Sequence, residues 1–314
     1  MPSLITHALA AHNMIPKNCY VEKAISKNMY AFNIGSSGPD LFYFYHAFPW
    51  SKKEKKKEVY HYGELFHKTL TNEHFKAAIE FAKQTKDETV VSYVAGWIAH
   101  YALDRNAHPF IFHYTGNDSL AHRRMEAELD ARMLDKKLNT SIKKYKPYEL
   151  VNNDSHTIEA INKIYKHVLK EVYSITLDSE IVEESIKDMR LSYRLLHDPN
   201  NIKRKWINKL EKTPYELTGT MIPNHVDYTY DITNDKHNEW CNPSDNTITS
   251  TKDFYELFND GVNDGILLLT LFNNYLNNSI SIDVLLKQFN NRDYCTGLPN
   301  YPEMKYFNLV YKKI

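Results

Sequence analysis

The chain has 314 residues with 39 basic and 39 acidic side chains, so its bulk charge argues against a basic nucleic-acid groove or an acidic tail. Its three cysteines, Cys19, Cys241 and Cys295, include no C-x2-C pair; this excludes a disulfide framework and a cysteine zinc site and fits a reducing compartment. In chain order, the opening M-P-S-L-I-T-H-A-L-A-A-H-N-M-I lacks a charged n-region and a long apolar h-region. It predicts no secretory signal, and no apolar run anywhere reaches the roughly 18 residues of a span, so a cytoplasmic protein is expected. His7 and His12 stand about 140° apart on a helix and cannot both serve one ion. Residues 35–39 (G-S-S-G-P) form a turn, and Asp40 emerges from it before an aromatic run, where it could cap a helix. Phe42, Tyr43, Phe44, Tyr45, Phe48 and Trp50 could pack the core or wall a lipid pocket. The run K-K-E-K-K-K-E (52–58) reads as a solvated face or as a contact with an anionic membrane surface. His61, His67 and His74 follow, with an amphipathic helix over 73–84.

The stretch Val90–Asp130 carries the strongest pattern. From Val90 to Leu103 nearly every residue is apolar or small, which predicts a central, buried helix. An ionised Asp104 at the end of that run is costly unless paired or bound to a metal. His100, Asp104 and His108 recur at four-residue steps, and His122 and Glu126 repeat the step. Residues i and i+4 share a helix face, so His100 with Asp104 can close on one cation and His122 with Glu126 on another. Imidazole and carboxylate are ligands that zinc accepts. The alternative is a set of ordinary core histidines and ion pairs, including an exposed Arg123–Glu126 pair. Pro109 predicts a helix end near His108, and Asn117, Asp118 and Ser119 offer caps for the next helix. Ten of the fifteen histidines lie within residues 1–122.

Beyond Leu129 the pattern weakens. Helical periodicity recurs over 156–174, 180–197 and 252–277, and Gly261 with Gly265 allows a close helix contact. Residues 213–250 read as a long connection that lines the cleft. The tail 291–314 has little pattern, and no strand alternation stands out. The expected architecture is all-α: one domain over 1–314, with the metal site in 1–135 and helical scaffold in 136–314.

His-x3-Asp, then His108, then thirteen residues to His-x3-Glu resembles the zinc-dependent phospholipase C family. The segments G-P-D-L-F-Y (38–43) and H-N-E-W-C-N-P (237–243) are similar to that family's intracellular bacterial branch. The step from Asp104 to His108 is two residues shorter than in the secreted phospholipases. The resemblance implies a first zinc held by Asp40, His67, His100 and Asp104, and a second by His108, His122 and Glu126. His61 is the runner-up to His67. His7 would support Asp104 or hold a third ion. The secreted relatives hold their third zinc partly through a processed N-terminal Trp; Met1-Pro2 stands here instead, so two ions are expected. Asp40 would also serve as general base. A Tyr that helps cage choline in some relatives is replaced by Leu41, so choline selectivity is not carried over.

The implied chemistry is phosphoester hydrolysis of a phospholipid or small phosphoester, with peripheral membrane contact and no nucleic acid as partner. Two other readings are a zinc nuclease on single strands and a non-catalytic lipid- or metabolite-binding protein with a structural metal. No G-x-S-x-G, phosphate loop, G-x-G-x-x-G or H-E-x-x-H motif points to another chemistry.

Overall fold

The computed structural model describes residues 4–48, 50–51 and 54–311; Met1 and Pro2, and Lys52 and Lys53 of the charge run, lie outside the described residues. Three helices open the chain: α1 (Leu4–Met14), α2 (Tyr20–Lys27) and α3 (Met29–Gly35). A short 3₁₀ helix, Gly38–Phe44, follows. Then come α4 (Lys56–Lys68), α5 (Thr71–Thr85), α6 (Glu88–Thr115) and α7 (Ser119–Leu138). The remainder is α8 (Ser155–Tyr173), α9 (Ser179–Leu196), α10 (Ile202–Leu210), α11 (Phe254–Leu276) and α12 (Ile282–Phe289). An antiparallel hairpin of β1 (Trp240–Asn242) and β2 (Asp245–Ser250) interrupts them, a pairing that the weak alternation of 240–250 did not predict. The fold is all-α.

Helix α6 is the axis of the molecule. It packs against α3 and α11, and Tyr93, Trp97 and Tyr101 are wholly buried on it. One hydrophobic cluster draws residues from Leu4 to Tyr311 around this helix. The two glycines of α11 face other helices: a Cβ at Gly261 would lie 3.1 Å from Leu103 Cα on α6, and one at Gly265 would lie 2.2 Å from Met14 Sδ on α1.

Helix α6 does not stop at His108, as Pro109 had suggested, but runs to Thr115. A proline inside a helix removes one hydrogen bond and costs about 3 kcal/mol. Downstream of it, Phe110, Ile111 and Tyr114 are buried, each worth roughly 1.5–3 kcal/mol. Packing therefore outweighs the break. The carbonyl that Pro109 deprives of its helical donor is that of Arg105, and the tail closes on it. Gly297 has φ +65°, and a Cβ there would lie 2.4 Å from Arg105 O.

The patternless tail proves to be a strap. Asn308 N donates to His113 O at 2.8 Å and Val310 N to Tyr114 O at 3.0 Å. Pro243 O accepts from Lys305 N at 2.6 Å and Tyr306 N at 2.9 Å, and Asn242 Nδ2 donates to Thr296 O at 2.8 Å. The 237–243 segment thus anchors the tail against the end of α6, with Trp240 stacked edge-on to Phe110.

Candidate metal centre

Each candidate ligand is set by local chemistry. On α7, Asp118 caps the helix, its carboxylate accepting from Leu120 N at 2.9 Å and Ala121 N at 3.3 Å, and this starts the turn that carries His122 and Glu126. Farther along α7, Asp130 accepts from Ile5 N, Thr6 N and Thr6 Oγ1, which satisfies the free start of α1 and aims His7 inward. Asp40 lies inside the 3₁₀ helix and is buried, so its role is not that of a solvent-side cap. The turn before it depends on Gly38. That residue has φ +50°, and a Cβ there would lie 2.6 Å from His100 Cδ2.

These side chains converge in three groups whose ligand atoms lie within 4.8 Å of one another: Asp40, His67 and His100; His7, His100 and Asp104; and His108, His122 and Glu126. Asp104 is the hub. Its Oδ2 is 3.1 Å from His100 Nε2 and 4.0 Å from His67 Nε2, and its Oδ1 is 3.1 Å from His7 Nε2 and 3.5 Å from His108 Nε2. Asp40 Oδ1 is 3.1 Å from His67 Nε2, and Oδ2 is 3.7 Å from His100 Nε2. Glu126 Oε1 faces His122 Nε2 at 3.2 Å and His108 Nε2 at 3.6 Å. The four-residue step from Asp104 to His108 thus keeps His108 between the two carboxylates.

The other ring nitrogens are engaged behind the cluster. His67 Nδ1 lies 2.7 Å from Gly63 O and His108 Nδ1 lies 3.0 Å from Tyr294 O. Donation by Nδ1–H in both leaves Nε2 free as a ligand, the arrangement common to metal-binding histidines. His7 Nδ1 sits 3.2 Å from His100 Nδ1. With His7 Nε2–H directed at Asp104, His7 Nδ1 accepts from His100 and leaves His100 Nε2 free as well. That atom and Asp104 Oδ2 are buried and make no hydrogen bond, although they lie 3.1 Å apart. Two such orphaned atoms are costly without a partner, and a cation satisfies both. The donor set and these two atoms fit zinc.

Electrostatics agree with mutual compensation. Burial disfavours the Asp104 carboxylate, yet His100, His108 and His7 hold it well below the usual carboxylate range. Glu126 is likewise held low against burial by His122 and His108. Burial opposes a charged His108, but Asp104, Glu126 and the Tyr294 carbonyl raise it to about 9. His67 and His7 also rise against burial, through Asp40 and Asp104 respectively, while burial keeps His100 low. In the metal-free protein His108 is therefore mostly protonated at neutral pH and must give up its proton before Nε2 can bind an ion. The raised value adds stability below about 6.5 that is lost as pH rises through about 9. Zinc titration into metal-free protein at pH 7 should release protons and bind more tightly as pH rises toward 9. Calorimetry in buffers of different ionisation enthalpy reads both; an uptake of protons would contradict this charge assignment.

Among the other histidines, His12 is exposed and bonds Asn33 Oδ1 at 2.8 Å, and His61 is exposed beside Glu64, so neither joins the cluster. His74 is buried behind it, between Tyr294 and Tyr173, with burial pushing it down to about 3. His237, Asp253 and Glu256 also approach one another, but they are exposed or half-buried and Asp253 and Glu256 already form a helix cap.

A cleft of about 560 Å³ opens on the cluster. Beyond the ligands it is lined by Tyr43, Tyr60, Lys68, Phe112, Arg123 and the tail residues Cys295, Tyr301 and Met304 among others. Tyr43 OH lies 3.3 Å from His67 Nδ1, so it alone of the aromatic run reaches the cleft, whereas Phe42 and Phe44 are core. Glu126 is buried and pairs with histidines, not with Arg123; Arg123 Nε is buried without a partner. The 213–250 connection lines separate cavities instead of this one. The tail's contribution was missed; the one signal for it was D-Y-C-T-G (293–297), where Asp293 accepts from Cys295 N and Thr296 N and turns the chain toward the cleft.

The family model described as zinc dependent phospholipase C matches residues 1–175, more than half of the chain. No curated protein and no solved structure matches it. No helix among the described residues is long and apolar enough to cross a membrane.

Proposed function

The chain belongs to the zinc-dependent phospholipase C family, and from that premise we propose that it hydrolyses a phospholipid, or a related phosphodiester, at the phosphorus–oxygen bond on the glycerol side. The observation that carries this reading is the pair of orphaned buried atoms, His100 Nε2 and Asp104 Oδ2, inside a converging set of histidines and carboxylates. We assign Asp40, His67, His100 and Asp104 to one zinc ion and His108, His122 and Glu126 to a second. His7 we assign to orienting Asp104 and His100. Bound there, zinc supplies Lewis-acid polarisation of a phosphoryl group and a water acidic enough to attack it near neutral pH. The three carboxylates, Asp40, Asp104 and Glu126, would leave a pair of bound divalent cations with a single positive charge, matched to a phosphodiester anion.

The protein's own groups then have separate tasks. Asp40, with His67 beside it at 3.1 Å, takes the proton of the attacking water. Lys68 and Arg123, the cations of the cleft wall, draw the anionic substrate in and orient its non-bridging oxygens. Tyr43, Tyr60, Phe112 and Tyr301 provide apolar faces that exclude water from the reacting phosphate. We also read the chain as one domain, because the hydrophobic cluster is continuous from Leu4 to Tyr311 and the tail closes a cleft built in the first half.

The test is product analysis by mass spectrometry after incubating the zinc-loaded protein with mixed phospholipid vesicles and, separately, single-stranded DNA and RNA. Diacylglycerol and a phosphorylated head group are expected. Cleavage of nucleic acid alone would favour the nuclease reading, and no cleavage of either would favour a binding protein.

A further inference from the structure

Helix α10 has no buried residue, although it is nine residues long. Isolated helices of that length are marginal in water and normally depend on burying one face. Its apolar residues recur at four-residue steps: Ile202 is 58% exposed, Trp206 64% and Leu210 78%. They form one stripe on the outer side. Arg204 and Ile207, the residues that turn inward, are half-buried, and the Arg204 guanidinium donates to Met221 O.

The charges on this helix are of one sign. Lys203 and Lys209 flank it, Lys205 and Lys212 lie close by, and Ile202–Leu210 contains no acid. Lys205, Lys209 and Lys212 make no ion pair among the described residues. The two neighbouring carboxylates face inward. Asp198 accepts from Ile202 N at 3.0 Å and Arg204 N at 2.8 Å, and Glu211 accepts from Tyr215 N, Leu217 N and Thr218 N. What remains outside is a Trp-centred apolar stripe edged by lysines. That is the composition of helices that lie in the head-group layer of a membrane, where the indole sits at the boundary and the lysines meet lipid phosphates.

We propose that α10 is a docking helix for an anionic phospholipid surface. A protein partner with a matching groove is less well supported, because the stripe is only three residues wide along the helix and its rim is uniformly cationic. The stacked aromatic pair Phe48 and Trp50 belongs to a different segment, next in sequence to the lysine-rich run, and serves as the internal comparison. This inference rests on the surface of α10 alone and stands whether or not the metal cleft hydrolyses lipid.

The experiment is brief co-sedimentation in the cold with vesicles of phosphatidylcholine alone and of an equimolar mixture with phosphatidylserine. The wild-type protein should bind the mixed vesicles, bind phosphatidylcholine weakly, and lose binding as salt rises. The double variant Trp206→Ser/Leu210→Ser should partition at least about tenfold less, and Lys205→Glu/Lys209→Glu should lose the salt-dependent part. Trp50→Ser should bind as wild type does. All these residues are exposed, so circular dichroism and cleavage of a soluble p-nitrophenyl phosphodiester should be unchanged. Absence of wild-type binding, or binding unaffected by the double variant, would overturn the proposal. So would self-association in sedimentation velocity that the double variant abolishes, which would make the stripe a contact between copies. If no protein cleaves the soluble substrate, the hydrolase reading fails while the vesicle result still decides the role of α10.

Discussion

Asp104→Asn should lose one ion and roughly a thousandfold in turnover, the scale of removing one electrostatic stabiliser from a closed site. Asp104 is 1% exposed, and both of its oxygens are aimed at imidazole nitrogens: Oδ1 at His7 and His108, Oδ2 at His100. Asparagine keeps the shape but removes the charge and puts an amide donor against one of those rings. His7 and His100 then lose their nearest counter-charge and burial favours their neutral forms, while His108 keeps Glu126 beside it. The second cluster, His108, His122 and Glu126, keeps its own carboxylate and should keep its ion. Elemental mass spectrometry with circular dichroism as a folding control reads the result. Full metal occupancy in a folded Asp104→Asn protein would remove Asp104 from the ligand set.

Asp40→Asn should behave differently. Here the expected loss is in kcat, by about 10²–10⁴-fold, the contribution typical of a positioned base, with the second ion retained. Asp40 does not belong to the cluster of His108, His122 and Glu126, so metal content should fall by no more than the first ion. Its carboxylate instead sits between His67 and His100, on the cleft side of the first cluster. Steady-state kinetics on a soluble phosphodiester separate the roles. An unchanged kcat would show that the proton goes elsewhere, and a raised KM with unchanged kcat would make Asp40 a binding group only.

Much of this arrangement was legible in the sequence because helix periodicity carries three-dimensional information. The four-residue steps among His100, Asp104 and His108, and between His122 and Glu126, place these side chains on shared helix faces before any packing is known. The structure brings all of them together, with His67 and not His61 completing the group. The choice between those two depended on which face of α4 turns inward, and the apolar pattern of Val59, Tyr62 and Phe66 makes that His67's face. Two features were not legible. Pro109 is a local signal for a helix end, and it was overridden by the burial of Phe110, Ile111 and Tyr114, which depends on the distant tail and hairpin. The tail itself has no periodicity, because it is held by backbone hydrogen bonds to His113, Tyr114 and Pro243, and such bonds leave little mark on residue type. Tyr294 shows the consequence: its carbonyl meets His108 and its amide meets His67 O, yet nothing local announces either contact.

The central claim is that this cluster is a metal centre and not a self-satisfied polar network. Its most direct test is the metal content of wild type and His122→Ala, purified together without chelator and measured by elemental mass spectrometry. His122 is half-buried at the cleft, so its loss should leave the fold intact. The expected result is zinc in the wild type at more than one equivalent, with one equivalent missing from the variant. A wild type that is empty as purified and takes up no zinc on addition would contradict the account, and the histidines and carboxylates would then be each other's only partners.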